Sequence, residues 1–131
     1  MTLQAAFLTL PPLLQRERIP ASVIDAIVQH IAEHFSPDKI ILFGSYAYDQ
    51  PTRWSDVDFL VVMDTPPEKA AEVMITILKS LSPRAFSIDV IVHSQATIER
   101  RVSQSDWFLK EVIGKGKTMY ERHDGRVDQQ S

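Results

Sequence analysis

Residues 40–62 read IILFGSYAYDQPTRWSDVDFLVV, and this stretch decides the fold. The apolar run IILF at its start is short and begins with β-branched residues, which is typical of a buried strand. The dipeptide GS ends that run, and the polar, irregular segment 46–55 follows it. A second strand is predicted over residues 57–63, because its side chains are apolar on both faces beyond the first aspartate. The stretch therefore predicts two strands joined by a polar loop.

Helical and strand patterns alternate on both sides of this stretch. Apolar residues recur at helical spacing after Pro20 and after Pro66-Pro67, and prolines close both segments. The predicted elements are helices over 24–35, 70–81, 95–102 and 105–113, and a third strand over 88–92. Strands interleaved with helices indicate an α/β (α+β) fold, with a short mixed sheet and helices packed mainly on one face.

The chain is expected to form one domain with two short extensions. Residues 1–18 are an apolar leader, in which a short helix would end at a proline pair. The domain is predicted over 19–121, and the almost entirely polar residues 122–131 are predicted to be a flexible tail. Two alternatives stay open for the apolar side chains of the leader, which either pack on the domain or contact a partner.

The composition is that of an ordinary globular domain. The chain has 131 residues, of which 44% are hydrophobic and 24% charged, enough for one core. Its net charge of −3 excludes a strongly basic chain that coats nucleic acid, so no direct nucleic-acid binding is expected. The absence of cysteine excludes disulfides and thiolate zinc sites, and it fits the reducing cytoplasm. Neither a signal peptide nor a membrane-spanning helix is expected.

Two aspartates stand at the start of the second predicted strand. Asp56 and Asp58 are two residues apart, so their carboxylates point to the same face of a strand. Carboxylates at the mouth of an apolar strand repel each other and resist desolvation, so a cation should lie between them. Asp89, the charged residue of the third predicted strand, can reach the same face from a neighbouring strand. Three convergent aspartates predict a Mg²⁺ site and suit two-metal phosphoryl or nucleotidyl transfer.

The dipeptide Gly44-Ser45 is suited to phosphate binding beside these carboxylates. Glycine after a buried strand allows close backbone approach, and a serine hydroxyl with free N–H groups at a helix start can hold phosphate. Each motif alone is weak evidence. Their combination is much rarer, since GS is followed after ten residues by DxD and apolar strands flank both.

The arrangement GS-x10-DxD resembles the signature of the DNA-polymerase-β-like nucleotidyltransferase superfamily. Over roughly residues 22–121 the chain is similar to the minimal nucleotidyltransferases (MNT), the antitoxins of HEPN–MNT toxin–antitoxin pairs. The resemblance is carried by LFGSYA before the loop, SDVDFLVV after it and the later strand IDVIV. It implies a polymerase-β-like nucleotidyltransferase core.

The resemblance also implies a role for each site residue. Gly44 and Ser45 would contact the phosphates of the substrate ATP. Asp56 and Asp58 would bind two Mg²⁺ ions, and Asp89 would complete one metal site and help to activate the acceptor hydroxyl. The implied reaction transfers AMP from ATP to a tyrosine of a HEPN-family RNase toxin and silences it, by in-line attack on the α-phosphate.

The size of the chain favours an acceptor on another protein. Polymerase-like relatives that modify RNA, DNA or aminoglycosides carry further domains for the acceptor, whereas the nucleotide-handling core takes up most of this chain. A hetero-oligomer with the HEPN toxin is therefore expected. Two alternatives stay open: a non-catalytic antitoxin that neutralises by binding alone, and a free-standing enzyme that acts on a small molecule through a homodimer cleft.

One position departs from the family's pattern. After GSxA the family often has Arg-Gly, whereas this chain has Tyr48-Asp49. The change removes a cationic contact to phosphate or acceptor and adds a negative charge near a polyanionic ligand. Arg53 is a candidate substitute for that arginine. The departure favours the binding-only alternative and bears on turnover more than on fold.

Two histidines on the first long helix offer a different hypothesis. His30 and His34 match the zinc-protease pattern H-x-x-E-H, and histidines four residues apart on a helix can share a metal. They flank the apolar stripe of that helix, so we interpret them as surface-helix histidines.

Two pairs of residues near the end of the chain have ordinary interpretations. Arg100-Arg101 can reach a triphosphate, but a solvated helix face is the simpler interpretation. Trp107 and Phe108 are typical of core or interface anchors rather than of base-stacking platforms.

Overall fold

The computed structural model of the protein describes residues 2–12, 16–84 and 86–123. Its helices are α1 (Leu3–Leu8), α2 (Ala21–Phe35), α3 (Ala70–Ser80), α4 (Gln95–Ser103) and α5 (Trp107–Lys115). Its strands are β1 (Lys39–Phe43), β2 (Val57–Val62), β3 (Ile88–His93) and β4 (Lys117–Glu121). Among these described segments, no helix is both long enough and apolar enough to cross a membrane.

The strands form one mixed sheet in the order β3-β2-β1-β4. β1 pairs antiparallel with both β2 and β4, whereas β2 and β3 run parallel. Because parallel neighbours need a crossover connection, α3 links β2 to β3 and packs against β3. The short mixed sheet with its helices confirms the predicted fold class.

Alternation along the strands gives the sheet two apolar faces. The larger core lies between one face and helices α1, α2 and α3. Its strand residues are Ile40, Leu42, Val57, Phe59, Val61, Ile88, Val90 and Val92. The second face carries Ile41, Phe43, Leu60 and Val62, which pack against Ile98, Leu109 and Val112 of α4 and α5. The larger core on one face agrees with the prediction, and two short helices cover the other face.

Local sequence signals set the ends of the helices. α2 begins after Pro20 and ends at Ser36, whose φ of 48° is left-handed, directly before Pro37. Ser94 and Asp106 cap α4 and α5, because each side chain accepts a hydrogen bond from a backbone N–H of the first turn. The predicted helices agree with the observed ones to within three residues at each end.

The leader contributes to the larger core. Leu3 and Phe7 of α1 are buried there, and the Phe7 ring meets the Phe86 ring edge-on with centroids 5.7 Å apart. Of the two alternatives for the leader, packing on the domain therefore holds for Leu3 and Phe7, whereas Leu8 is 86% exposed. Leu13 and Leu14 lie outside the described residues.

Strand β4 is an element that the sequence pattern did not predict. It pairs with β1 at the edge of the sheet, and only Met119 and Tyr120 of its five residues are half-buried. An exposed edge strand lacks a strong apolar pattern, so residues 114–121 resemble a helix end followed by a tail. Just beyond it, the Arg122 N–H donates to the Asp38 carbonyl at 2.9 Å. The rest of the predicted tail, from residue 124 on, lies outside the described residues.

Candidate active site

The predicted aspartates lie at one end of the sheet. Asp58 and Asp89 are paired in register in the parallel strands β2 and β3. Asp56 stands two residues before Asp58, directly ahead of β2. β1 ends beside them, since Phe43 pairs with Asp58. Paired residues of neighbouring strands project from the same face, so the carboxylates share the face that α4 and α5 cover.

The three carboxylates are close enough to hold a cation. Each aspartate offers one carboxylate oxygen, and these three oxygens all lie within 4.8 Å of one another. Asp56 and Asp58 are half-buried, while Asp89 is exposed, so the cluster is open to solvent at Asp89. Of the His, Cys, Asp and Glu side chains that the structure describes, these form the one group of three or more with such geometry. The structure thus brings together all three predicted metal-binding residues.

Mutual repulsion within the cluster favours a bound cation. Burial, the charges of Asp89 and Asp56 and a hydrogen bond with Asp89 raise the pKa of Asp58 to about 6, from its ordinary 3.8. The donor atoms are carboxylate oxygens, the ligands that Mg²⁺ prefers. A divalent cation fits this donor set, because its charge would offset both the burial and the repulsion that raise the pKa.

Gly44 brings the GS motif against the DxD motif. Its φ of +77° lies in the left-handed region that favours glycine. A Cβ added at this position would lie 2.3 Å from Oδ2 of Asp58, far inside van der Waals contact. The backbone of Gly44 therefore borders the aspartate cluster, and the half-buried Ser45 follows it.

The turn after Gly44 is held by a residue that the sequence reasoning missed. The N–H groups of Ala47 and Tyr48 donate to the Gly44 carbonyl at 3.0 and 3.2 Å. Tyr46 is buried, and its hydroxyl accepts a hydrogen bond from the Ile19 N–H at 2.9 Å. This bond fixes the loop to the segment ahead of α2. The signal for such an anchor is an aromatic residue inside a polar loop.

A second missed feature is the turn ahead of Asp56. The Thr52 N–H donates to the Ser55 hydroxyl at 2.8 Å, and the Ser55 N–H donates to the Thr52 carbonyl at 3.0 Å. Trp54 within this turn is 69% exposed. Because the turn is closed by its own local bonds, it fixes the direction in which the chain enters β2 at Asp56.

Tyr48-Asp49 is the pair that departs from the family's pattern, and Arg18 offsets the negative charge of Asp49 there. Arg18 Nη1 lies 2.8 Å from Asp49 Oδ1, and this hydrogen bond holds the pKa of Asp49 below its usual value. The Tyr48 hydroxyl is 3.4 Å from Oε2 of Glu111 on α5. Arg53, the candidate substitute, is exposed in the same loop.

Both histidines of the H-x-x-E-H pattern have a protein partner. Their rings stack with centroids 4.2 Å apart on α2. His30 Nε2 lies 3.2 Å from the Ser80 hydroxyl, and His34 Nδ1 lies 2.9 Å from the His30 carbonyl. These contacts agree with their interpretation as surface-helix histidines.

The remaining candidates lie on α4 and α5. Arg101 is 4.0 Å from Asp106, the residue that caps α5. Trp107 is 77% exposed and Phe108 is 52% exposed, so neither is a core anchor, and that part of the prediction is wrong. The residues of α5 that are buried in the core are Leu109 and Val112.

Two surface grooves lie away from the carboxylates. One, of about 420 Å³, is formed by α2 and the edge strand β4. The other, of about 350 Å³, is formed by α4, Ile113 of α5 and the far ends of β1 and β2. Neither is lined by a residue of the GS or DxD motifs, so we assign no nucleotide to them.

Comparisons with known proteins agree with this geometry. The model of the nucleotidyltransferase domain family matches residues 24–115, which contain all five predicted site residues. A protein of Methanocaldococcus jannaschii, provisionally named a protein adenylyltransferase, is 33% identical over 82 residues. The match covers 63% of this chain and 77% of that protein.

A solved structure supports the same fold. The crystal structure of a provisionally assigned nucleotidyltransferase from Sulfolobus solfataricus matches with a TM-score of 0.55 and 17% identity. The match covers 93% of this chain and 89% of that chain. A toxin–antitoxin chain crystallised with AMP-PNP matches 79% of this chain and 76% of its own at 18% identity. Its TM-score of 0.44 is too low to support any conclusion about this chain.

Proposed function

Because this chain belongs to the nucleotidyltransferase domain family, we propose that it transfers AMP from ATP to a partner protein. The acceptor is a tyrosine hydroxyl of a HEPN RNase toxin, which the modification neutralises. One observation carries the proposal: Asp56, Asp58 and Asp89 converge beside the backbone of Gly44. A phosphate-binding element and a cation-binding cluster therefore adjoin, as nucleotidyl transfer requires.

Two groups of residues would bind ATP and its metal ions. Gly44 lets phosphate oxygens approach the backbone, and Ser45 supplies a hydroxyl beside them. Asp56, Asp58 and Asp89 would hold two Mg²⁺ ions, which when bound neutralise phosphate charge and lower the pKa of an attacking hydroxyl. The exposure of Asp89 leaves that side of the cluster accessible to an acceptor.

The transfer itself exchanges one phosphorus–oxygen bond for another. The tyrosine oxygen attacks the α-phosphorus in line with the bond to the β-phosphate, and that bond breaks to release pyrophosphate. The hydroxyl proton passes to a carboxylate. Asp89 is suited to receive it, because it is the most exposed of the three and faces the side open to an acceptor.

A protein acceptor is supported by the sequence and by the exposed surface near the site. The chain resembles the MNT antitoxins, and the relative from Methanocaldococcus jannaschii is provisionally named for transfer to proteins. Trp54 stands two residues before Asp56 and is 69% exposed. Exposed aromatic side chains are enriched in protein interfaces.

Incubation with α-labelled ATP, Mg²⁺ and the product of the adjacent gene, which we expect to be a HEPN toxin, tests the proposal. Label is expected on the toxin with the wild-type protein. Asp56→Asn and Asp58→Asn should reduce transfer by at least about 100-fold, since each removes a carboxylate from a cation site. Asp64→Asn is the matched control, because Asp64 is an exposed aspartate just beyond the other end of β2. It should transfer label normally.

Two other outcomes would replace the proposal. If the toxin is neutralised without label, and Asp58→Asn still neutralises it, the protein acts by binding alone. If label appears on a small molecule in the absence of toxin, the protein is a free-standing transferase.

A further inference from the structure

Phe108 forms an exposed aromatic surface beside the aspartate cluster. Its ring packs edge-on against the ring of Phe43, with centroids 5.6 Å apart and an interplanar angle of 85°. Phe43 is the β1 residue paired with Asp58, so the two project from the same face of the sheet. The order across this face is therefore Phe108, Phe43, Asp58 and Asp89.

The core does not account for the position of this ring. Leu109 and Val112 hold α5 on the sheet, whereas 52% of Phe108 remains exposed. Its edge-on contact with Phe43 fixes the ring while leaving aromatic surface uncovered. When a flat ligand covers such a surface next to a polar site, the contact stabilises the complex.

Two directions away from the carboxylates are already filled, and the Asp89 side is left open for an acceptor. Further along the strands, Leu60 and Ile91 pack in the cluster beneath α5. Beyond the last residue of β1, the Gly44 backbone lies against Asp58. A nucleotide whose phosphates lie at Gly44 and the aspartates can therefore extend its nucleoside across Phe43, where Phe108 is the next side chain.

We propose that Phe108 is the stacking platform for the nucleobase of the bound nucleotide. The inference rests on the proposed function, because it requires the triphosphate to lie at the aspartates. Aromatic side chains stack on any base, and a purine offers the larger ring system. The protein should therefore prefer ATP and GTP to CTP and UTP through contact area at Phe108.

Calorimetric titration with two ligands isolates the contribution of the base. The ligands are α,β-methylene-ATP, which resists transfer, and inorganic tripolyphosphate, which has no base; both are used with Mg²⁺. Phe108→Ala should weaken binding of the ATP analogue roughly tenfold and leave tripolyphosphate binding unchanged. Phe108→Tyr should restore binding of the analogue. Unchanged tripolyphosphate binding also shows that the variant is folded.

Trp107→Ala is the matched control. Trp107 is the neighbouring exposed aromatic residue, but its ring faces the Lys110 ammonium at 5.0 Å rather than Phe43. This variant should bind both ligands like the wild type.

Two outcomes would overturn the inference: Phe108→Ala binds the analogue normally, or it loses both ligands equally. In the first case, failure of the same variant to modify the toxin would assign the ring to the acceptor. A wild-type protein that binds neither ligand would overturn the proposed function together with the inference. That result is distinguishable, since it appears before any substitution at Phe108.

Discussion

At the scale of single residues, Gly44 couples the two motifs because it has no side chain. Gly44→Ala would place a methyl group 2.3 Å from the Asp58 carboxylate and force alanine to a φ of +77°. We expect a loss of about 2 kcal/mol or more in the free energy of unfolding, together with loss of AMP transfer. Urea denaturation and the labelled-ATP assay measure the two effects.

Gly114→Ala provides the control for this substitution. Gly114 lies within α5, and a Cβ there would meet no atom within 4 Å. Because alanine is the better helix former, this variant should be about 0.5–1 kcal/mol more stable than the wild type and keep full activity. Equal behaviour of the two variants would contradict the claim that Gly44 is constrained by Asp58.

Asp58 makes the stability of the apoprotein depend on pH. Its pKa is raised to about 6 in the folded protein from 3.8, so the folded state holds the proton more tightly than the unfolded state. This contribution to stability is full below pH ~4 and is lost as the pH rises through 6. In EDTA at pH 7.5, Asp58→Asn should therefore raise the thermal unfolding midpoint. Between pH 4 and 6, the midpoint of this variant should fall less with rising pH than the midpoint of the wild type.

Magnesium provides the complementary measurement. At pH 7.5, Mg²⁺ should raise the unfolding midpoint of the wild type but not that of Asp58→Asn, because binding to the folded state stabilises it. Asp64→Asn should respond to Mg²⁺ like the wild type. A midpoint that is the same in EDTA and in Mg²⁺ for all three proteins would count against a cation site at the cluster.

At the scale of elements, the predictable strands are those with several buried apolar residues. β1, β2 and β3 are rich in such residues, which mark them in the sequence, and prolines mark the ends of the long helices. β4 escaped prediction because it is an exposed edge strand with two half-buried residues. The register of β2 with β3, which aligns Asp58 with Asp89, follows from tertiary packing that no local pattern encodes.

The loop between β1 and β2 depends on Tyr46 as its anchor. Tyr46→Phe removes the hydroxyl that accepts the buried Ile19 N–H, so that donor is left unpaired. We expect a loss of about 1–2 kcal/mol in the free energy of unfolding, measured by urea denaturation. Tyr48→Phe is the control, since the Tyr48 hydroxyl is exposed and only 3.4 Å from Glu111. A Tyr46→Phe variant as stable as the control would show that the bond does not hold the loop.

At the scale of the whole molecule, both faces of the sheet are covered by the chain's own helices, and the site lies at one end. The three aspartates and the GS dipeptide that meet there were identifiable from the sequence because their spacing is unusual. Tyr46 and Ser55 were not, because their positions depend on turns, and Phe108 was interpreted as a core or interface anchor because its position beside Phe43 depends on helix packing. Asp89 is the exposed member of the cluster, so under the proposed function the acceptor approaches from that side.

Mass spectrometry of the HEPN toxin tests the central claim most directly. After incubation with ATP, Mg²⁺ and the wild-type protein, the toxin is predicted to gain the mass of one or more AMP units, and fragmentation should place them on a tyrosine. Asp58→Asn, or EDTA in place of Mg²⁺, should leave the toxin unmodified and its RNase active. A toxin that loses its RNase activity to the wild-type protein while its mass stays unchanged would contradict the account.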